Sequence, residues 1–130
     1  MAHYVDTSAL AKLVVAETET VALRRWMAAD ERVLVSSDLA RTELLRAVRR
    51  VAPDLVIQTR AVLDAVILMT MGTDVFDAAG LLDPAVMRSL DALHLACALD
   101  LGDDLEAIVT YDDRLAAAAH ALGVATVTPS

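Results

Sequence analysis

Sulfur, imidazole and basic charge are all scarce in this 130-residue chain, and each scarcity removes a class of chemistry. The single cysteine, Cys97, excludes an internal disulfide, and its place in the apolar stretch from Ala92 to Leu99 reads as a small buried hydrophobe rather than a reactive thiol. His3, His94 and His120 stand at no metal-ligand spacing to one another or to Cys97, so a zinc site is unsupported. There is no glycine-rich phosphate loop and no Gly-x-Ser-x-Gly elbow. No apolar run is long enough to span a bilayer, and Asp6 falls where a signal peptide would be building its apolar region, which predicts a cytoplasmic protein with no membrane attachment. Lysine and arginine number 11 against 19 aspartates and glutamates, for a net charge of −8. That balance disfavours loose electrostatic binding to nucleic acid, although acids gathered around bound cations repel phosphate only until those cations arrive.

Apolar residues are plentiful, at 57% of the chain, enough for one domain over residues 1–130 with a sizeable core. Runs rich in β-branched residues alternate with helical patterns, which is the mark of βαβ units and predicts an α/β fold with a short parallel sheet. The first unit organises the rest. Tyr4 and Val5 suit a strand that ends on Asp6, Thr7 or Ser8 can cap the helix that follows, and Leu10, Leu13 and Val14 share one helical face. Further helices are predicted over 18–29, from the Ser36-Ser37-Asp38 cap to about Val51, and over 54–66, 74–82, 88–101 and 114–122, with Asp83-Pro84 as a turn or helix start. Strands are predicted over 32–36, 67–70, 107–110 and 125–127. The helix over 88–101 is apolar nearly all round, which places it centrally; Gly102 is its predicted cap, and Gly123 ends the last helix.

Acids in unexpected places carry the functional signal. Asp6 stands at the carboxyl end of the first strand, the edge of an open α/β sheet where ligands bind. Glu43 lies mid-helix among Leu39, Ala40, Leu44, Ala47 and Val51, where it cannot be a cap; the plainer reading pairs it with an arginine at 41, 46, 49 or 50. Asp91 sits among Met87, Leu95 and Ala98 in the most apolar helix, and the plainer reading is a first-turn acid favoured by the helix dipole. Asp112 follows the last strong strand as Asp6 follows the first, with Asp113 as its neighbour and rival, and one of the two must cap the next helix. Ser8 and Thr110 are hydroxyls at the same level, able to orient a water or a carboxylate. Glu17, just past the first helix, can join the rim or be an ordinary surface acid.

Carboxylates from two strand ends and two helix faces would repel one another if left bare, and a divalent cation offsets that repulsion. Oxygen donors without sulfur or imidazole select Mg²⁺, with Mn²⁺ as substitute, and such ions act on phosphates, so phosphodiester hydrolysis is the natural inference.

Tyr4-Val5-Asp6-Thr7-Ser8-Ala9-Leu10, Arg41-Thr42-Glu43-Leu44, Arg88-Ser89-Leu90-Asp91-Ala92-Leu93-His94-Leu95-Ala96 and Val109-Thr110-Tyr111-Asp112 resemble, in order, the four motifs of PIN-domain ribonucleases of the VapC toxin type. The resemblance spans nearly the whole chain. It implies a PIN-like sheet of about four or five strands sandwiched by helices. It also implies a Mg²⁺-dependent endoribonuclease with catalytic acids Asp6, Glu43, Asp91 and Asp112, of which Asp6 and Asp91 hold metal. The partners it implies are an RNA substrate, a second copy in a homodimer and a small VapB-type antitoxin that inhibits. Asp112 is preferred to Asp113 because it keeps the Thr-x-Asp spacing after Thr110. A receiver-like phospho-acceptor domain is the rival enzyme, disfavoured because receivers pair acids after the first strand and carry a late lysine, whereas Lys12 is the only lysine here. A non-catalytic PIN-like binding module would tolerate a gap in the acidic set, and there is none.

Overall fold

The computed structural model describes residues 1–130, and its five strands all run parallel. They are β1 (Ala2–Val5), β2 (Val33–Ser37), β3 (Ile67–Met69), β4 (Leu105–Val109) and β5 (Thr126–Val127), in the order β3-β2-β1-β4-β5. Helices α1 (Thr7–Val14), α2 (Thr20–Ala29), α3 (Leu39–Val51), α4 (Val56–Asp64), α5 (Thr73–Gly80), α6 (Ser89–Leu99) and α7 (Asp113–Ala121) complete the α/β fold expected from the alternating pattern. The chain builds outward from β1 to β3, then crosses back to lay β4 on the other side of β1. The order therefore reverses between β1 and β4, and such a switch point opens a crevice at the carboxyl ends of the strands.

Alternation along the central strands divides the core in two. Tyr4 and Ile108 pack on one face with Val75 and Ala79 of α5, Leu95 of α6 and Leu115 of α7. Val5 and Val109 pack on the other with Leu10, Leu23, Leu44, Val48 and Leu63 from α1 to α4. Six residues of α6, Ala92 and His94 to Ala98, are buried, in keeping with its near-uniform apolarity. Cys97 is among them, and burial pushes its thiol up to about 11.

Several local readings are corrected. Asp6, not Thr7 or Ser8, caps α1, because its own carboxylate reaches the N–H of Ala9. The apolar stripe of α3 runs through Ala40, Leu44 and Val48, while Val51 at the helix end is exposed. Arg32 precedes β2, its guanidinium lying over the Trp26 ring at 4.0 Å and donating to the Trp26 carbonyl. Pro53 opens a 3₁₀ turn before α4, and α6 ends at Leu99 with Gly102, at φ 58°, two residues beyond its cap at Asp100. Gly123, at φ 76°, does end α7: its N–H donates to the His120 carbonyl and the Val124 N–H to that of Ala119, a Schellman closure. No helix is long and apolar enough to cross a membrane.

Candidate acidic site

Register brings the ends of β1 and β4 together. Val5 pairs with Val109, so the next residues, Asp6 and Thr110, emerge side by side at the switch point. Thr110 Oγ1 donates to Asp6 Oδ2 at 2.8 Å and accepts from the Asp112 N–H at 3.0 Å. Ser8 Oγ donates to Asp6 Oδ1 at 2.6 Å and accepts from the Tyr111 N–H at 2.9 Å. The two hydroxyls thus stitch the end of β1 to the end of β4 and fix the Asp6 carboxylate, which is only 4% exposed. Burial raises the Asp6 carboxyl above the ordinary aspartate range, against the hydrogen bonds from Ser8, Thr110 and Ala9 that lower it.

The doubled aspartate divides its duties. Asp112 caps α7, its Oδ1 accepting from the N–H groups of Arg114 at 2.9 Å and Leu115 at 3.2 Å. Asp113 is simply the exposed first residue of that helix. Asp91 occupies the first turn of α6 but caps no N–H. Burial, and then the charge of Asp112, push its carboxyl above the ordinary range.

Glu43 reaches across from α3 and is not paired with an arginine. Its Oε1 accepts from Thr7 Oγ1 at 3.0 Å and lies 2.6 Å from His94 Nε2 on α6. Burial alone would raise Glu43, but the bonds from His94 and Thr7 hold it below the ordinary glutamate range. His94 is buried, and among the four acids its contact is with Glu43. Spacing to other histidines or to cysteine cannot reveal this residue; the available signal is its place three residues after Asp91 in an apolar helix. Glu17 lies apart, exposed and accepting from Lys12 Nζ at 3.2 Å.

No three acidic, imidazole or thiol groups are gathered tightly enough to cage an ion alone. Mg²⁺ does not need such a cage, since it keeps several waters and takes one or two carboxylates plus substrate phosphate. The donor set fits it: all oxygen, with the Asp6 carboxyl raised by burial and that of Asp91 by burial and the charge of Asp112, an effect that a cation would oppose. His94 already spends both ring nitrogens on Glu43 and Tyr4.

Two grooves each take in one of the acids. One, of about 820 Å³, is lined by Thr7 and Glu43 together with Arg46, Arg49 and Arg50. The other, of about 400 Å³, holds Asp91 between Arg88 and Arg114. None of these five arginines forms a salt bridge; those present use Arg32, Arg41, Lys12 and histidines.

The PIN domain family model matches residues 3–121. Ribonuclease VapC46 of Mycobacterium tuberculosis (strain ATCC 25618 / H37Rv) is 43% identical over 129 residues, covering 99% of this chain and 98% of the relative. Ribonuclease VapC47 of the same species (strain CDC 1551 / Oshkosh) is 39% identical over 130 residues, covering 97% and 96%. The crystal structure of Mycobacterium tuberculosis VapC20, a sarcin-ricin loop cleaving toxin, superposes with a TM-score of 0.77 over 98% of this chain and 100% of that one. At 19% identity this is a likeness of fold.

Proposed function

The chain belongs to the PIN domain family, within its VapC-type ribonucleases, and from that premise we propose that it is a Mg²⁺-dependent endoribonuclease toxin. The observation that supports the reading is the bonding of Thr110 to both Asp6 and the Asp112 backbone at the switch point between β1 and β4, with Glu43 tied to the same end of β1 through Thr7 and to α6, the helix of Asp91, through His94. Asp6 and Asp91 would hold the metal, Mn²⁺ serving in its place, with Asp112 and Glu43 binding its waters. Bound there, the cation would lower the pKa of a water and offset charge on the phosphate. Thr110 and Ser8 hold Asp6 in place, and Thr7 does the same for Glu43.

A net charge of −8 makes the unpaired arginines of the two grooves the more telling, because RNA needs cations along its backbone and these line the grooves that hold Glu43 and Asp91. We assign the partners on the same footing: a homodimer, supported by apolar side chains such as Leu81 and Val86, 84% and 89% exposed, and a VapB-type antitoxin covering the acids. A cytoplasmic setting suits both.

Incubating the purified chain with total RNA and Mg²⁺, then with EDTA, and mapping the new ends tests the reading. Discrete cleavage that EDTA abolishes is expected. Cleavage that persists in EDTA, or its absence at every Mg²⁺ and Mn²⁺ concentration, counts against it.

A further inference from the structure

The buried chain Ser37, Tyr4, His94, Glu43 joins the consecutive elements β2 and α3 through β1 and the distant α6. Tyr4 Oη, on β1, lies 3.0 Å from Ser37 Oγ on β2 and 2.7 Å from His94 Nδ1 on α6. The other ring nitrogen, Nε2, meets Glu43 Oε1 at 2.6 Å. Tyr4 and Ser37 are wholly buried and His94 is 5% exposed. The edge of the imidazole also packs against the Tyr4 ring, centroids 5.9 Å apart, so the ring is fixed by packing and at both nitrogens. Glu43, by contrast, is half-buried at the rim of the arginine groove, on a long side chain with rotamers to lose. Without a fixed partner it would be free to swing toward Arg46 or Arg50, three and seven residues on along α3.

Resting on the nuclease reading above, we propose that His94 is a positioning residue: aligned by Tyr4, it grips Oε1 of Glu43 and leaves Oε2 as the atom offered to the metal's hydration shell. The burial of Tyr4 keeps its phenol protonated, raised further above its ordinary range, so it remains a neutral aligner. Carboxylates and imidazoles beside a metal are commonly oriented by such outer partners, whose loss lowers metal affinity or turnover about 10–100-fold.

Three variants separate positioning from structure. His94→Leu fills the volume without a polar atom, His94→Gln offers an amide N–H toward Glu43, and Tyr4→Phe removes only the aligning hydroxyl. Each is compared with wild type by Mn²⁺ calorimetry, by melting without metal, and by kcat and KM on an RNA that the wild type cleaves. For His94→Leu, Mn²⁺ affinity and kcat should fall about 10–100-fold with KM little changed. His94→Gln should restore most of both, and Tyr4→Phe should shift them the same way by less. If His94→Leu binds Mn²⁺ and turns over as wild type does, whatever its melting temperature, the positioning role is refuted; so it is if glutamine melts like wild type yet restores nothing. Should leucine fail to fold, glutamine and phenylalanine still decide: metal affinity unchanged in Tyr4→Phe together with a glutamine variant as impaired as an unfolded one overturns the proposal. A wild type that neither binds Mn²⁺ nor cleaves RNA sinks the nuclease reading itself, and the positioning role with it.

Discussion

Asp91 holds its carboxylate in the first turn of α6 without capping an N–H, and the charge of Asp112 helps to raise it above the ordinary range. That geometry predicts opposite effects on stability and activity. Asp91→Asn removes one of two repelling charges, so stability without metal, read by urea denaturation, should stay level or rise, while Mg²⁺-supported cleavage falls on the order of 10³-fold. A variant that is less stable and fully active would end the assignment. His3, far from the crevice at the start of β1, gives a pH dependence instead. It lies edge-on to Trp26 at 4.9 Å, its Nδ1 without a hydrogen bond and 3.9 Å from Glu106 Oε2, and burial lowers its pKa from the ordinary 6.5 against the pull of Glu106. Between 6.5 and the lower folded value, the unfolded chain binds a proton that the folded chain does not, so this residue removes stability as pH falls through that window. Urea midpoints at about pH 7.5 and about pH 5.5 should therefore drop further in wild type than in His3→Phe. Equal drops would contradict the assignment.

At the scale of the element, helix ends govern what the acids can do. Two of the four, Asp6 and Asp112, are N-caps, so their carboxylates are held at positive helix termini before any cation binds. At the other end of α7, Gly123 closes the helix at φ 76°, and an added Cβ there meets nothing within 4 Å. Only backbone strain opposes substitution. Gly123→Ala should cost about 1–2 kcal/mol and lower Tm by about 3–6 °C, with cleavage by the folded fraction unchanged. Differential scanning calorimetry beside the RNA assay measures both, and an unshifted Tm would show that the turn tolerates alanine.

For the whole molecule, a net charge of −8 coexists with five arginines that line the two grooves without a salt bridge. If Arg49 and Arg50 contact phosphates, changing both to glutamine should raise KM and flatten its dependence on salt by about 0.7 in log–log slope for each phosphate no longer neutralised. Mn²⁺ binding and kcat should hold. An unaltered slope would move the RNA path off α3.

The order of elements and the identity of the acidic candidates could be read from the chain because they rest on local chemistry. Strand residues running into Asp6 and Asp112, and carboxylates on apolar helix faces at 43 and 91, are patterns of a few consecutive residues or one helical turn. What capped what was less legible, since Asp6, Thr7 and Ser8 can all accept from a first turn and only backbone dihedrals choose among them. Strand order, the stitching of Asp6 to Asp112 through Thr110, and the grip of His94 on Glu43 belong to the tertiary structure alone. These bonds join residues up to 104 positions apart, and pairing at that range is set by which strands lie side by side and in what register, which no local pattern encodes.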